Sequence, residues 1–266
     1  MLYWLGMKNT LNNELAVCGF AAVKVLEKNN ALRIRRLYFT EERAPLFGGL
    51  CKKLAALKRP YNMVQDSMEL ERLCGSVHHQ GVVAMIDLPE IPPLTTSVTA
   101  QWVAQKQHAI LLDHVGNANN LGAIVRSAAF FGIKNIVIPL DEAQSSVTTS
   151  SYRVAEGGME FVQLYSIRSI TRLLTDMEGR MIRIGTSLEA RQSTVELSSL
   201  CRTRPAIVVL GNEEYGISDE VAQNCDALVI VPYAGMEAGF PPTVDSLNVA
   251  QAASIIMYEL SKTGSV

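Results

Sequence analysis

The chain has 266 residues, 48% of them hydrophobic and 19% charged, with a net charge of −2. That length holds one large or two modest domains, and the composition excludes a disordered chain and gives no global electrostatic case for a polyanion partner. Five cysteines, at 18, 51, 74, 201 and 225, are odd in number and nowhere spaced C-x-x-C, which argues against a zinc site or a disulfide framework and fits a reducing, cytoplasmic setting.

The first twelve residues carry no clear pattern and read as loosely attached; no signal peptide and no transmembrane helix is expected. A helix is expected over 14–27, with Val17, Ala21, Val23 and Leu26 apolar, then a strand over 32–40 whose charged positions are Arg33, Arg35 and Arg36. A helix over 45–58 places Leu46, Leu50, Leu54 and Leu57 on one stripe. A short strand at 61–65, a helix at 67–74 and a strand at 82–87 complete an alternating α/β unit spanning 1–92. Residues 1–92 carry 12 Lys/Arg against 9 Asp/Glu, a mild excess compatible with touching phosphates. A Pro- and Ser/Thr-rich run at 88–100 reads as a semi-rigid linker, placed between the domains at 93–105.

The second unit, 106–266, is expected to alternate again. Strands are expected at 108–113, 135–139, 161–164, 181–186, 206–210 and 227–231, and helices at 121–131, 167–178, after Ser218 and at 246–260. Apolar strands separated by helices imply a mainly parallel sheet covered on both faces.

Three stretches stand at strand–helix junctions: N-N-L-G-A-I-V-R at 119–126, V-L-G-N-E-E-Y-G-I-S at 209–218 and D-S-L-N-V at 245–249. Strand-end loops are where an open α/β sheet binds ligands, so these three can converge. Asn119 or Asn120 is placed to cap the first helix, and Gly122 permits close backbone approach. Arg126 lies beside an apolar run, which favours a buried guanidinium. The second stretch fits neither G-x-G-x-x-G nor G-x-x-x-x-G-K, so nucleotide cofactors of those kinds have no support. Asp245 or Ser246 is a good cap for the last helix. His78 and His79 lack a carboxylate or cysteine cluster beside them and read as structural, with no metal expected.

Together the three stretches resemble the motifs of the SpoU, or TrmH-type, RNA 2′-O-ribose methyltransferases of the SPOUT superfamily: Asn120, Leu121, Gly122 and Arg126; Leu210, Gly211, Glu213 and Gly216; and Ser246 to Val249. Residues 1–92 resemble the small substrate-binding domain often fused to these enzymes. The resemblance implies a parallel-sheet domain with a deep trefoil knot, a homodimer, S-adenosylmethionine as methyl donor and a ribose 2′-hydroxyl of structured RNA, rRNA before tRNA, as acceptor. It further implies that Gly211, Val231 and Leu247, with Thr186 and Ser187, line the donor pocket. Arg126, Asn120, Glu213, Ser246 and Asn248 would serve the reacting groups, with Arg126 clamping a phosphate rather than acting as base, since a guanidinium stays protonated. Arg33, Arg35, Arg36, Lys52 and Lys53 are the expected RNA-backbone contacts. The loop 233–245 is longer than the family's usual one, which motivates an alternative: a knotted RNA-binding assembly factor without turnover.

Overall fold

The computed structural model describes residues 13–140, 146–236, 238–239 and 243–263; the first twelve residues, expected to be loosely attached, lie outside that range, as do parts of the 141–151 and 233–245 stretches. The chain forms two compact units, Met1–Glu90 with Val147–Phe161, and Ile91–Ser146 with Val162–Val266.

The first unit contains β1 (Glu14–Cys18), α1 (Phe20–Asn30), β2 (Ile34–Thr40), α2 (Ala44–Ala56), β3 (Tyr61–Val64), α3 (Ser67–Cys74) and β4 (Val82–Asp87). The sheet runs β1-β4-β2-β3, with β4 antiparallel to both neighbours and β3 parallel to β2. The single helix expected over 14–27 is therefore a strand and then a helix. All five residues of β1 are buried and pair with β4, and Gly19, at φ 98°, supplies the left-handed turn that separates the two elements. On α2 the buried stripe is Phe47, Leu50 and Leu54, while Leu46 and Leu57 face solvent. Phe47 is the better core residue because its ring packs against both Phe20 and Phe39.

The helix Thr149–Ala155 belongs to this unit. Arg33 donates to both Glu160 oxygens at 2.9 and 3.1 Å and to the Tyr152 hydroxyl at 2.8 Å, and a Cβ on Gly157 would lie 2.6 Å from Val25. A chain divided simply in sequence order, as expected from composition, misses this return of 147–161 to the first unit.

The second unit begins with α4 (Thr96–Ala104), where a linker was expected. Thr95 caps it, and Trp102 is 2% exposed in a core shared with Leu111, Val137, Leu174 and Val209. Then come β5 (Ala109–Leu112), α5 (Ala118–Phe131) and β6 (Asn135–Pro139). After the Thr149–Ala155 helix, α6 in chain order, follow β7 (Gln163–Ile167), α7 (Ile170–Asp176), β8 (Ile182–Thr186), β9 (Gln192–Ser193), α8 (Leu197–Leu200), β10 (Ala206–Leu210), α9 (Asp219–Gln223), β11 (Ala227–Ile230) and α10 (Val249–Ser261). Seven strands form one sheet in the order β7-β6-β5-β10-β8-β11-β9, every pairing parallel. The apolar, fully buried strands β5, β6 and β10 read as expected for a sheet covered on both sides. The chain runs outward from β5 to β7, then returns to the other side of β10. That reversal puts the C-terminal ends of β5 and β10 at a topological switch point, where open α/β sheets bind ligands.

Candidate active site

The loops after β5 and β10 are stitched together by backbone. The Asp113 N–H donates to the Leu210 carbonyl at 2.8 Å, and Asn212 and Gly216 exchange a pair of backbone hydrogen bonds at 3.0 and 2.9 Å. Gly211 lies beneath that closed loop: a Cβ there would sit 2.2 Å from the Gly216 carbonyl carbon, so no other residue fits without moving the backbone. Asn212 organises the loop from inside. Its Oδ1 accepts from the Glu214 and Tyr215 N–H groups, and its Nδ2 donates to the His114 carbonyl at 3.0 Å.

The three expected motifs meet through side chains. Asn120 Nδ2 donates to Glu213 Oε1, and Asn248 Nδ2 donates to Asn120 Oδ1 at 3.1 Å. Residues more than ninety positions apart in sequence are thereby joined in one chain of polar contacts. Asn248 is also the N-cap of α10, its Oδ1 accepting from the Ala250 N–H at 2.9 Å. α10 therefore starts at Val249, not Ser246, because Asn248 spends its side chain on the cap. Ser246 and Leu247 precede the helix and are exposed, Leu247 by 42%.

α5 starts earlier than expected. Its cap is Asn117, whose Oδ1 accepts from the Asn119 N–H at 2.8 Å, so neither Asn119 nor Asn120 caps the helix. Asn120 is inside the first turn, which aims its amide at the loop after β10. Arg126 is exposed rather than buried: Leu121, Gly122, Ile124, Val125 and Ala128 form the inward face, and Arg126 falls outside it.

Of the expected donor-pocket residues, Thr186, Ser187, Gly211 and Val231 lie at neighbouring strand ends, and Leu247 precedes α10. Thr186 closes β8, and its hydroxyl donates to the Val209 carbonyl at 3.1 Å; the Ser187 N–H donates to the Val229 carbonyl at 3.1 Å. Val231 follows β11 directly and is half-buried.

The arginines expected to touch RNA are engaged within the first unit. Arg33 stands in a 3-10 turn, not in β2, and pairs with Glu160, whose side chain is 1% exposed. Arg36 pairs with Glu14, and Arg35 with Asp87 at 2.5 Å. The Arg35 guanidinium in turn holds the Asp87 carboxyl below its ordinary range. Lys52 and Lys53 are exposed on α2, and Lys53 shares a shallow groove with Lys24 and Lys28. His79 is buried and its Nδ1 accepts from the Gly81 N–H at 3.1 Å, a turn-forming role. Sequence reasoning passed over Asn212 and the Asp113–His114 pair; the signal for Asn212 was its place between Gly211 and Gly216, where a side chain must close the turn.

A family model described as the SpoU rRNA Methylase family matches residues 107–258, and one for RNA 2′-O ribose methyltransferase substrate binding matches residues 16–92. An uncharacterized tRNA/rRNA methyltransferase of Mycobacterium avium is 32% identical over 199 residues, covering 73% of this chain and 60% of the relative. The chain thus spans about 60% of the length of such mycobacterial relatives. The 23S rRNA (guanosine-2′-O-)-methyltransferase RlmB of Acinetobacter baylyi is 30% identical over 215 residues, covering 78% of this chain and 82% of the relative. Among solved structures, the SpoU methyltransferase AviRb of Streptomyces viridochromogenes in complex with AdoMet shares the fold, with a TM-score of 0.70 at 21% identity, covering 97% of this chain and 94% of that one. Two family models in tandem, and three sequence motifs that converge on Asn120, lead to one assignment: the chain belongs to the SpoU rRNA methylase family.

Proposed function

We propose that the protein transfers a methyl group from S-adenosylmethionine to a ribose 2′-hydroxyl of structured rRNA. The observation that carries the reading is the Asn248–Asn120–Glu213 chain of hydrogen bonds, which locks the three motif loops into one rim. The 23S rRNA named for the Acinetobacter relative favours rRNA over tRNA as substrate.

The strand ends fit the donor. In this reading Thr186, Ser187, Gly211 and Val231, at the ends of the neighbouring strands β8, β10 and β11, line the donor pocket together with Leu247 ahead of α10. When bound, S-adenosylmethionine supplies a methyl already activated by its positive sulfur. The chain's own residues then have to hold the hydroxyl in line and manage its proton. Asn120, fixed at both ends of its amide, orients the rim. In this reading Arg126, exposed on α5, clamps a backbone phosphate. Ser246 shapes the approach ahead of the α10 cap.

We extend the proposal to the assembly. In this reading the C-terminal domain is knotted, as in the resembled family, with α10 packed against α5 and α8. Phe130, 82% exposed, and Tyr258, 49% exposed, lie on α5 and α10 and support a homodimer through that face. Five free thiols support a cytoplasmic location. Lys52 and Lys53 are the better RNA contacts than Arg33, Arg35 and Arg36, whose charges are balanced at short range.

The test is Arg126→Ala. Calorimetric affinity for S-adenosylmethionine is expected to hold, while methyl transfer to rRNA falls by about 100-fold or more. Full turnover in this variant would refute the assignment. A wild-type chain that binds RNA but neither S-adenosylmethionine nor a methyl product would support the assembly-factor reading.

A further inference from the structure

The loop that closes over Gly211 carries a tyrosine whose ring stands in solvent. Tyr215 is 78% exposed; among the large hydrophobic side chains described, only Phe130 is more so. A solitary exposed ring is ordinary on a protein surface. This one differs in being held at both ends. Its backbone N–H donates to Asn212 Oδ1 at 3.3 Å, and the Asn212–Gly216 backbone pair shuts the turn around it. Its hydroxyl donates to the Glu214 carboxylate, which keeps the proton on and lifts the phenol above its ordinary range. Gly211, with no space for a Cβ, seats the whole turn on the end of β10. The ring is fixed in place without being packed.

Its position is equally defined. Tyr215 stands two residues after Glu213, which accepts from Asn120, which in turn accepts from Asn248. The ring therefore shares a closed turn with the contact that joins the three motif loops. The neighbouring charges select what it faces. Glu213 and Glu214 directly precede it, and two carboxylates repel a phosphate but not the neutral face of a base. Side-chain freedom lost on binding subtracts from affinity, so a ring already held by its backbone and its hydroxyl stacks at little further cost.

Resting on the methyltransferase reading, we propose that Tyr215 is a stacking platform for a base of the substrate RNA beside the methylated ribose. The ring meets the face of an unstacked base, as aromatic side chains do in single-stranded RNA recognition. It binds and orients the strand and takes no part in the transfer of the methyl group or the proton. Every base has such a face, so the platform fixes the place of the strand and not the identity of the base.

The test uses the full chain and an unmodified 23S rRNA transcript. Tyr215→Ala is expected to weaken binding of the transcript by about 5- to 150-fold, the range for loss of one base–aromatic stack. Tyr215→Phe keeps the face and should bind within about threefold of wild type, whereas Tyr215→Leu keeps apolar bulk without the face and should bind as weakly as Tyr215→Ala. The dependence of affinity on salt should have the same slope in all four proteins, since no phosphate contact is lost. In methyl transfer, Tyr215→Ala should raise KM for the transcript and leave kcat within about threefold, the pattern of a binding contact. Calorimetric affinity for S-adenosylmethionine should not change. Unaltered RNA affinity in Tyr215→Ala, tight binding by Tyr215→Leu, or weak binding by Tyr215→Phe would each overturn the proposal. So would a lower mass of Tyr215→Ala on light scattering, which would place the ring between copies of the chain. A wild-type chain that binds the transcript and methylates nothing would sink the methyltransferase reading instead, and the four titrations would still decide whether Tyr215 stacks.

Discussion

Two residues tie local packing to measurable behaviour. His108 is 6% exposed; its Nδ1 accepts from the Ala206 N–H at 3.0 Å and its Nε2–H donates to Thr263 Oγ1 at 2.9 Å. Burial pushes its pKa down to about 4 from the usual 6.5. Between those values the unfolded chain binds the extra proton and the folded chain does not, so stability is lost as pH falls from 6.5 to 4, by about 3 kcal/mol in all. Urea unfolding across that window should show the loss, and His108→Gln should flatten it. Gly211 gives a second test. Gly211→Ala must push the Gly216 backbone aside, at a cost of about 1–3 kcal/mol, and should weaken S-adenosylmethionine binding on calorimetry as the loop opens. Both Gly211 and the Asn120–Glu213–Asn248 set were legible in sequence, because loops at the ends of buried parallel strands have one place to converge. The exposure of Arg126 was not: it depends on which face of α5 turns inward, and the apolar run surrounds it in sequence but not in space.

Among the elements, those with a period long enough to count were found and those defined by caps or pairing were not. α3, β4 and β6 stand at their expected bounds, since hydrophobic pattern and flanking turn residues agree there. β1 reads as helix in the sequence because a fully buried five-residue strand has no alternation to betray it. α4 reads as linker in the sequence because the prolines at 89, 92 and 93 stand ahead of a helix only nine residues long, anchored by Trp102. A linker residue would tolerate truncation. Trp102→Ala is expected instead to destabilise the second unit by about 3–5 kcal/mol in denaturant titration, since it empties a core position packed edge-on against Tyr165 at 5.5 Å.

For the whole molecule, the alternation of strands and helices announced a parallel sheet, but its order did not follow from sequence. The insertion of β10 between β5 and β8 is fixed on one side by pairing with β5, where Ile207 meets Ala109 from 98 residues earlier, and on the other by pairing with β8. The proposed dimer belongs to this scale too. Phe130 and Phe131 meet edge-on at 5.1 Å, and Phe131 lies 6.0 Å from Tyr258, so the α5–α10 face carries a rigid aromatic patch. Phe130→Asp should weaken self-association by about 100-fold and halve the mass read by light scattering at working concentrations; an unchanged mass would place the dimer elsewhere.

The return of 147–161 to the first unit bears on how the gene can be cut. A fragment ending at residue 92 encodes a body short of one wall: Arg33 loses Glu160 and the Tyr152 hydroxyl, Asn30 loses the same carboxylate, and the backbone beside Val25 is gone. Supplying 147–161 in trans, as a synthetic peptide, should restore what the shortened fragment lacks.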